Sequence, residues 1–276
     1  MDGTDDLAIG VLTWRAPETL RQTLESHRAA GIDRLVSERV VFVQARGEDP
    51  RSVEIAREFG YRVEGSADNL GILGGIDALA RCLRTPLVLF NENDFQIDAP
   101  PETVARELRM ACSLVREDRA DIVWLRSREH PGRPFVVREK TEQFHPPEGA
   151  TRAARVAAAL RRTARPDKAR RMAARSIRFD ADAPRAFPDL IEEPEPGWSM
   201  ARSRWLSWSN NPCVLRRDLL LTLLDRAAGE DSTRRTNGFR NLEVELNSPW
   251  WRAQDLRIVQ APGIFTHDRI GDRGYA

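Results

Sequence analysis

The sequence predicts an α/β fold: a mostly parallel sheet flanked by helices. Three observations carry this. Short apolar runs rich in β-formers alternate with amphipathic stretches through the first half of the chain. Proline opens several of the amphipathic stretches, and glycine closes one. The resulting β-α-β-α-β-α-β order favours a parallel sheet with right-handed crossovers.

The elements follow in order. Residues 7–14 (LAIGVLTW) form a first strand, and Pro17 and Glu18 open a helix to about Ala29 with an apolar stripe at Leu20 and Leu24. Residues 39–45 (RVVFVQA) are a second strand, 50–59 a second helix ended by Gly60, and 61–64 a short third strand. A glycine-rich turn over 69–75 leads into a helix to about Leu83. The run Leu87-Val88-Leu89-Phe90 is too short for a helix and reads as a buried strand; a helix over 100–116 and a strand over 121–125 (DIVWL) follow. Beyond residue 127 the periodicity weakens. Residues 150–178 are Ala- and Arg-rich and helical in character, broken at Pro166, whereas 180–197 is proline-rich and acidic, hence loop. Helices are expected over 218–228 and 241–251, and a last strand over 257–266. No long flexible linker divides the chain, so residues 1–276 read as one domain, with halves 1–127 and 128–276.

Composition excludes several classes. With 43 Lys plus Arg against 42 Asp plus Glu, the net charge of +1 does not point to nucleic acid. The three cysteines, Cys82, Cys112 and Cys213, are far apart and lack CxxC spacing, which suggests neither a disulfide framework nor a zinc site and fits a reducing cytoplasm. The acidic opening over 1–6 is wrong for a signal peptide, and no apolar run approaches membrane-spanning length.

The most informative stretch is the end of the fourth apolar run, Asn91-Glu92-Asn93-Asp94. It sets two carboxylates where a strand runs out, and parallel α/β sheets bind ligands at the carboxyl ends of their strands. Hard cations such as Mg²⁺ are held there by one or two carboxylates plus substrate phosphates. The plain alternative is an acidic surface turn.

Four segments together resemble the GT-A glycosyltransferases, in particular the large inverting family 2. Residues 11–20 (VLTWRAPETL) are similar to the family's strand-loop-helix start, V-x-T-Y-N-R-P-E-x-L. Residues 69–77 (NLGILGGID) are similar to its N-x-G-x-x-G-G-x-N turn, and Glu92-Asn93-Asp94 stands where its D-x-D follows a buried strand. Residues 242–246 (LEVEL) lie where the family often has E-D-x-E-L, and Phe265-Thr266-His267 where many members carry a metal-binding His. The sequence departs from the pattern at Arg15 and Ala16 for Asn and Arg, at Gln44 for an acidic residue that meets the base, and at Glu243 for the catalytic Asp. Residues 128–205 match nothing in the family.

The resemblance implies transfer of a sugar from a nucleotide-sugar donor, UDP-linked, to an acceptor hydroxyl with inversion, in surface polysaccharide or other glycan assembly. Thr13, Trp14 and Arg15 would line the nucleotide pocket, with Gln44 able to replace a carboxylate at a pyrimidine edge. Asn69, Gly71, Gly74 and Gly75 would bring backbone close to the ligand, although turn chemistry explains glycines as well. Asp77 would orient ribose or donor sugar, or serve as a helix-dipole partner. Asp94, Glu92 and His267 would hold Mn²⁺ or Mg²⁺, with Glu92 and Asn93 beside the ribose. Glu243 is the candidate general base, with Glu245 next; on a helix the two point to different faces, so only one can serve.

Five of the seven tryptophans fall late, and core packing is their default; the loop Trp208-Ser209-Asn210-Asn211 is the candidate acceptor side. Residues 152–178 hold ten basic residues and one acidic residue, a solvated face, a contact for a phosphorylated acceptor, or a peripheral contact with the inner face of an anionic membrane. The partners expected are thus a nucleotide sugar and a glycan or lipid-linked acceptor. Two rival readings are a sugar-nucleotide pyrophosphorylase and a non-catalytic nucleotide-sugar-binding protein. The first should show a glycine-rich basic loop after strand one, where this chain has Thr13-Trp14-Arg15-Ala16-Pro17.

Overall fold

The computed structural model describes residues 4–230, 235 and 238–268. The first half runs β1 (Leu7–Thr13), α1 (Pro17–Ala29), β2 (Glu38–Val43), α2 (Pro50–Glu58), β3 (Arg62–Gly65), α3 (Gly71–Cys82), β4 (Leu87–Glu92), β5 (Phe95–Ile97), α4 (Pro101–Arg116) and β6 (Ile122–Arg126). The second half runs α5 (Val137–Glu142), α6 (Arg152–Ala164), α7 (Pro166–Arg175), α8 (Ala183–Ala186), β7 (Ile191–Glu195), β8 (Trp198–Arg202), β9 (Cys213–Arg216), α9 (Arg217–Gly229), α10 (Leu242–Leu246), α11 (Pro249–Ala253) and β10 (Arg257–His267).

One ten-stranded sheet runs through both halves in the order β3-β2-β1-β4-β9-β6-β10-β8-β7, with β5 paired to β10. β5, β8 and β9 run against the remaining strands, so the sheet is mostly parallel in direction. Alternation sorts its side chains onto two cores. Leu7, Ile9, Val11, Leu87 and Leu89 meet Leu20 and Leu24 of α1, Ile55 of α2 and Leu108 of α4. Ala8, Leu12, Val88 and Phe90 meet Ile76 and Leu79 of α3 and Leu220 and Leu224 of α9. Burial on both faces is why these strands read as unbroken apolar runs.

Two expectations in the second half are corrected. Residues 180–197, expected as loop, contain α8 and β7, and β7 pairs with β8 through Glu195 and Trp198. β7 is the sheet's edge, where Pro194 and charged side chains are tolerated. Pro196-Gly197, with Gly197 at φ +79°, makes the tight turn between the two strands. The single helix expected over 241–251 is two. Pro249 keeps Ser248 out of the helical region (ψ 169°), and the Ser248 hydroxyl caps α11 by accepting from the Trp251 N–H at 3.3 Å. The break at Pro166 falls between α6 and α7 as expected.

The placement of β9 matters most for function. It is antiparallel between β4 and β6, with Cys213 opposite both Phe90 and Trp124. The loop before it therefore arrives at the carboxyl ends of β4 and β6.

Beneath β4, His27 is buried at 1 % exposure and bonded through Nδ1 to the Tyr61 hydroxyl at 2.9 Å. The Asn91 amide, fixed by donating to the Phe95 carbonyl, also donates to His27 Nε2 at 3.3 Å, so the proton sits on Nδ1. Burial pushes this imidazole down to about 3. The unfolded chain then binds the extra proton first, so the stability is whole above pH ~6.5 and drains away as pH falls toward ~3. We expect stability to drop between pH 7 and 4, and His27→Gln to remove ~3 kcal/mol of that drop. An identical pH dependence in the variant would assign acid lability elsewhere.

Candidate active site

The carboxyl edge of the sheet collects Thr13 from β1, Glu92 and Asp94 from the end of β4, Arg126 from β6 and His267 from β10. Asp94 is 1 % exposed and faces His267, with Oδ2 3.2 Å from Nε2. His267 is fixed from behind. Its Nδ1 bonds the Arg133 carbonyl oxygen, its ring packs edge-on against Phe95 at 4.9 Å, and its backbone bridges Gly132. An Nδ1–H donated to a carbonyl leaves the Nε2 lone pair aimed at a carboxylate oxygen, two acceptors face to face. Only a proton or a cation between them relieves this. A carboxylate and an imidazole so arranged fit a divalent cation whose other positions are filled by phosphate and water. Among the described residues no cluster of three or more His, Cys, Asp or Glu forms. Any such ion would thus depend on its ligand for the rest of its shell.

The loop behind His267 tolerates little. A Cβ on Gly132, at φ +69°, would stand 1.9 Å from the His267 carbonyl oxygen. Gly132→Ala is expected to displace His267 and weaken Mn²⁺-dependent nucleotide binding by on the order of tenfold or more. Unchanged affinity would show that this support is dispensable.

Glu92 shares its face of β4 with Val88 and Phe90 and is half-buried. Asn93 is held at its backbone, its N–H donating to the Leu12 carbonyl at 3.0 Å and its carbonyl accepting from the Thr23 hydroxyl at 2.6 Å.

Glu243 lies at the start of α10, capped by Asn241. Its Oε1 accepts from the Ser209 hydroxyl and the Asn210 N–H, both at 3.0 Å, which joins α10 to the loop before β9. Glu245 turns the other way, 3 % exposed and paired with Arg240 at 3.2 Å, so it is structural and leaves contention as a base. Trp208 is also corrected. It is 2 % exposed, packed edge-on to Trp251, and cannot present a face to a sugar; its indole N–H holds Asn210 Oδ1 at 2.8 Å. Asn211 is buried and accepts from Arg126 at 3.3 Å. Only Asn210 of that trio is partly exposed.

On the nucleotide side, Thr13 is 1 % exposed with its hydroxyl oxygen buried and unbonded, whereas Trp14 is 46 % exposed. Arg15, at φ +45°, pairs with Glu48 and lies 5.7 Å over the Trp14 ring. Gln44 is buried, and its amide oxygen accepts from the Leu70 N–H at 2.9 Å, leaving only its NH₂ for a base. The glycines are corrected in part. The turn covers 69–71, where Asn69 Oδ1 accepts from the Gly71 N–H at 2.9 Å; Gly74 and Gly75 are already in α3. Added Cβ atoms would meet Phe239 at Gly71 (2.4 Å), Leu70 at Gly74 (2.9 Å) and the Gln44 amide at Gly75 (2.9 Å), so these glycines admit the protein's own side chains. Asp77 accepts from Arg81, which also reaches Asp225 on α9, so its carboxylate is engaged in tying α3 to α9.

Reading the sequence missed three arginines at this edge: Arg126, Arg175 and Arg178. Arg126 was legible as the basic residue that ends the strand DIVWL. Arg175 and Arg178 carry no signal that separates them from the solvated arginines before them.

No protein-family model matches this chain, and no curated protein matches it. Solved structures do. A mannosyltransferase from Pyrobaculum calidifontis, in complex with GDP-Man and Mn²⁺, superposes with a TM-score of 0.50 at 12 % identity, over 99 % of this chain and 59 % of its own. TarS from S. aureus gives 0.48 at 14 % identity, over 95 % of this chain and 36 % of its own. A nucleotidyl transferase from Methanothermobacter gives 0.45 at 12 % identity, over 95 % and 88 %. The chain thus spans little more than half of the mannosyltransferase and about a third of TarS. The sheet order, the ligand edge and the match to the mannosyltransferase agree on one architecture: the chain has a GT-A fold.

Proposed function

We propose that this protein is a metal-dependent glycosyltransferase that moves a sugar from a nucleotide-sugar donor to an acceptor hydroxyl with inversion. The observation that carries the reading is the facing pair Asp94–His267 at the carboxyl edge of a GT-A sheet, with Glu243 of the late helix bonded to the loop that arrives at the ends of β4 and β6. Asp94 and His267 would hold Mn²⁺ or Mg²⁺, which would offset charge developing on the diphosphate leaving group, with Glu92 left to the ribose or the ion's water. Trp14 would offer its exposed ring to a base, with the Gln44 NH₂ and the Thr13 hydroxyl as the polar groups for its edge. The Glu243 carboxylate, oriented by Ser209 and Asn210, takes the proton of the attacking hydroxyl, and one displacement inverts the anomeric carbon. The family resemblance favours UDP as carrier, and residues 1–276 act as one unit with donor and acceptor halves. A glycan or lipid-linked acceptor fits the same resemblance. The test is UDP release from a panel of UDP-sugars with hydroxylated acceptors, with the product's anomeric configuration read by NMR. Release with retention would remove the Glu243 mechanism; no release from any nucleotide sugar would remove the activity.

The membrane part of the reading rests on α6. Among the described residues no helix is long and apolar enough to cross a membrane. α6 is exposed along nearly its whole length and shows Val156 (53 %) and Leu160 (67 %) on the face flanked by Arg152 and Arg155. An apolar stripe edged with arginine suits an anionic bilayer surface, such as the inner face of a cytoplasmic membrane. Arg161 and Arg162 instead hold α6 to the carbonyls of Gln143 and Phe144 at 3.1 and 2.6 Å. Arg152→Glu with Arg155→Glu is expected to reduce pelleting with anionic vesicles at low salt, by about 1 kcal/mol per arginine lost, and to leave nucleotide affinity unchanged. Wild-type protein that never pellets ends the membrane reading.

A further inference from the structure

Arg175 and Arg178 form a cationic site that none of the roles above uses. Arg175 ends α7, and Arg178 closes the 3₁₀ turn Ser176–Arg178 that follows it. Both converge on Ser207, in the loop before β9: Arg175 Nη2 donates to the Ser207 hydroxyl and Arg178 Nη2 to its carbonyl, each at 3.1 Å. The Arg178 guanidinium lies over the Trp124 ring, 4.4 Å from its centroid. The turn is built to hold this position. Arg128, itself buried, donates to the Ile177 carbonyl at 2.8 Å and to Gln260 O and Ser199 Oγ at 2.8 and 3.0 Å.

The arrangement lacks an anion. The Nε–H groups of Arg175 and Arg178 are buried without an acceptor, and the buried indole N–H of Trp124 beside them has none either. No carboxylate among the described residues pairs with either guanidinium; the charge of Glu243 reaches both, but its Oε1 already takes Ser209 and Asn210. Burial pushes Arg178 down to about 9 and lowers Arg175, and each is pushed further by a neighbouring arginine. A pair of desolvated like charges is costly, and removing a buried charge's partner typically costs several kcal/mol. Planar forked donors of this kind match phosphate oxygens. Both residues remain partly exposed, and each already gives one outer nitrogen to Ser207.

We propose that Arg175 and Arg178 bind a phosphate group carried by the acceptor, setting its hydroxyl beside Glu243. The assignment to the acceptor rests on the base role given to Glu243. The phosphate chemistry rests on the arginines alone. The other source of the same chemistry is the donor's diphosphate, which belongs with Asp94 and His267.

The experiment titrates inorganic phosphate and glycerol 3-phosphate, without divalent metal, into full-length protein and follows the arginine ¹⁵Nε signals and the heat of binding. Arg175→Gln assigns the Arg175 signal, and the conservative Arg178→Lys guards against loss of the Trp124 packing. Both probes should shift the two Nε signals of the wild type. Arg175→Gln should weaken both probes about tenfold or more, as expected for lost charge-assisted bonds. UDP–Mn²⁺ affinity should stay within about twofold, as for separate sites, and saturating UDP–Mn²⁺ should not displace the phosphate. Unmoved signals in the wild type, or phosphate affinity untouched by both substitutions, overturn the site. Displacement by UDP–Mn²⁺ overturns its assignment to the acceptor. Failure of UDP–Mn²⁺ to bind at all would strike the glycosyltransferase reading while the phosphate titration still decides the arginines.

Discussion

Asp94→Asn is expected to abolish metal-dependent nucleotide binding without destabilising the protein. The side chain is 1 % exposed and 3.2 Å from His267 Nε2, whose lone pair faces it because Nδ1 is bonded to the Arg133 carbonyl. An amide keeps the shape and can supply an N–H to the Nε2 lone pair of the neutral imidazole, a hydrogen bond in place of two facing acceptors. The thermal midpoint should hold or rise. The amide cannot supply the charge a hard cation demands, so Mn²⁺-dependent affinity for a nucleoside diphosphate should fall on the order of 10²-fold or more, and about tenfold for His267→Ala. Calorimetry and thermal melts on the same samples separate the two effects. A variant that melts lower and binds normally would make the pair a structural ion pair.

Glu243→Gln carries the second large effect. The amide oxygen can keep accepting from the Ser209 hydroxyl and the Asn210 N–H, so the loop before β9 should hold its place. The amide cannot take a proton at neutral pH. Turnover should fall on the order of 10²–10⁴-fold, with donor affinity and thermal midpoint unchanged. Glu245→Gln, which disturbs a buried pair with Arg240, should instead lower stability. Wild-type turnover in the Glu243 variant would move the base elsewhere.

The contrast between Glu243 and Glu245 shows where the sequence is legible. Periodicity separates their faces, but only the placement of β9 decides which face meets the sheet edge. Asp94 and His267 stand far apart in the sequence, and the antiparallel pairing of β5 with β10 brings them together. The acidic end of β4 could be read because a strand's last residues sit at a known edge. Trp208 was misread because a loop tryptophan looks the same whether it faces solvent or, as here, plugs the core against Trp251. The glycines of 71–75 were ambiguous for a similar reason: close approach by a ligand and close approach by Phe239 or Gln44 both require a missing Cβ. The β7–β8 hairpin was hidden by the acidic, proline-containing edge strand, although Pro196-Gly197 marked its turn. Arg175 and Arg178 could not be picked out, since burial distinguishes them from the other arginines of that segment and burial is a tertiary property.

Calorimetry of UDP binding to the full-length protein, with and without Mn²⁺, tests the central claim most directly. If Asp94 and His267 form a cation site completed by the ligand's phosphates, UDP should bind at least about tenfold more tightly in Mn²⁺, and the gain should vanish in Asp94→Asn. UDP affinity that is equal with and without Mn²⁺, or a gain that survives Asp94→Asn, would contradict the account.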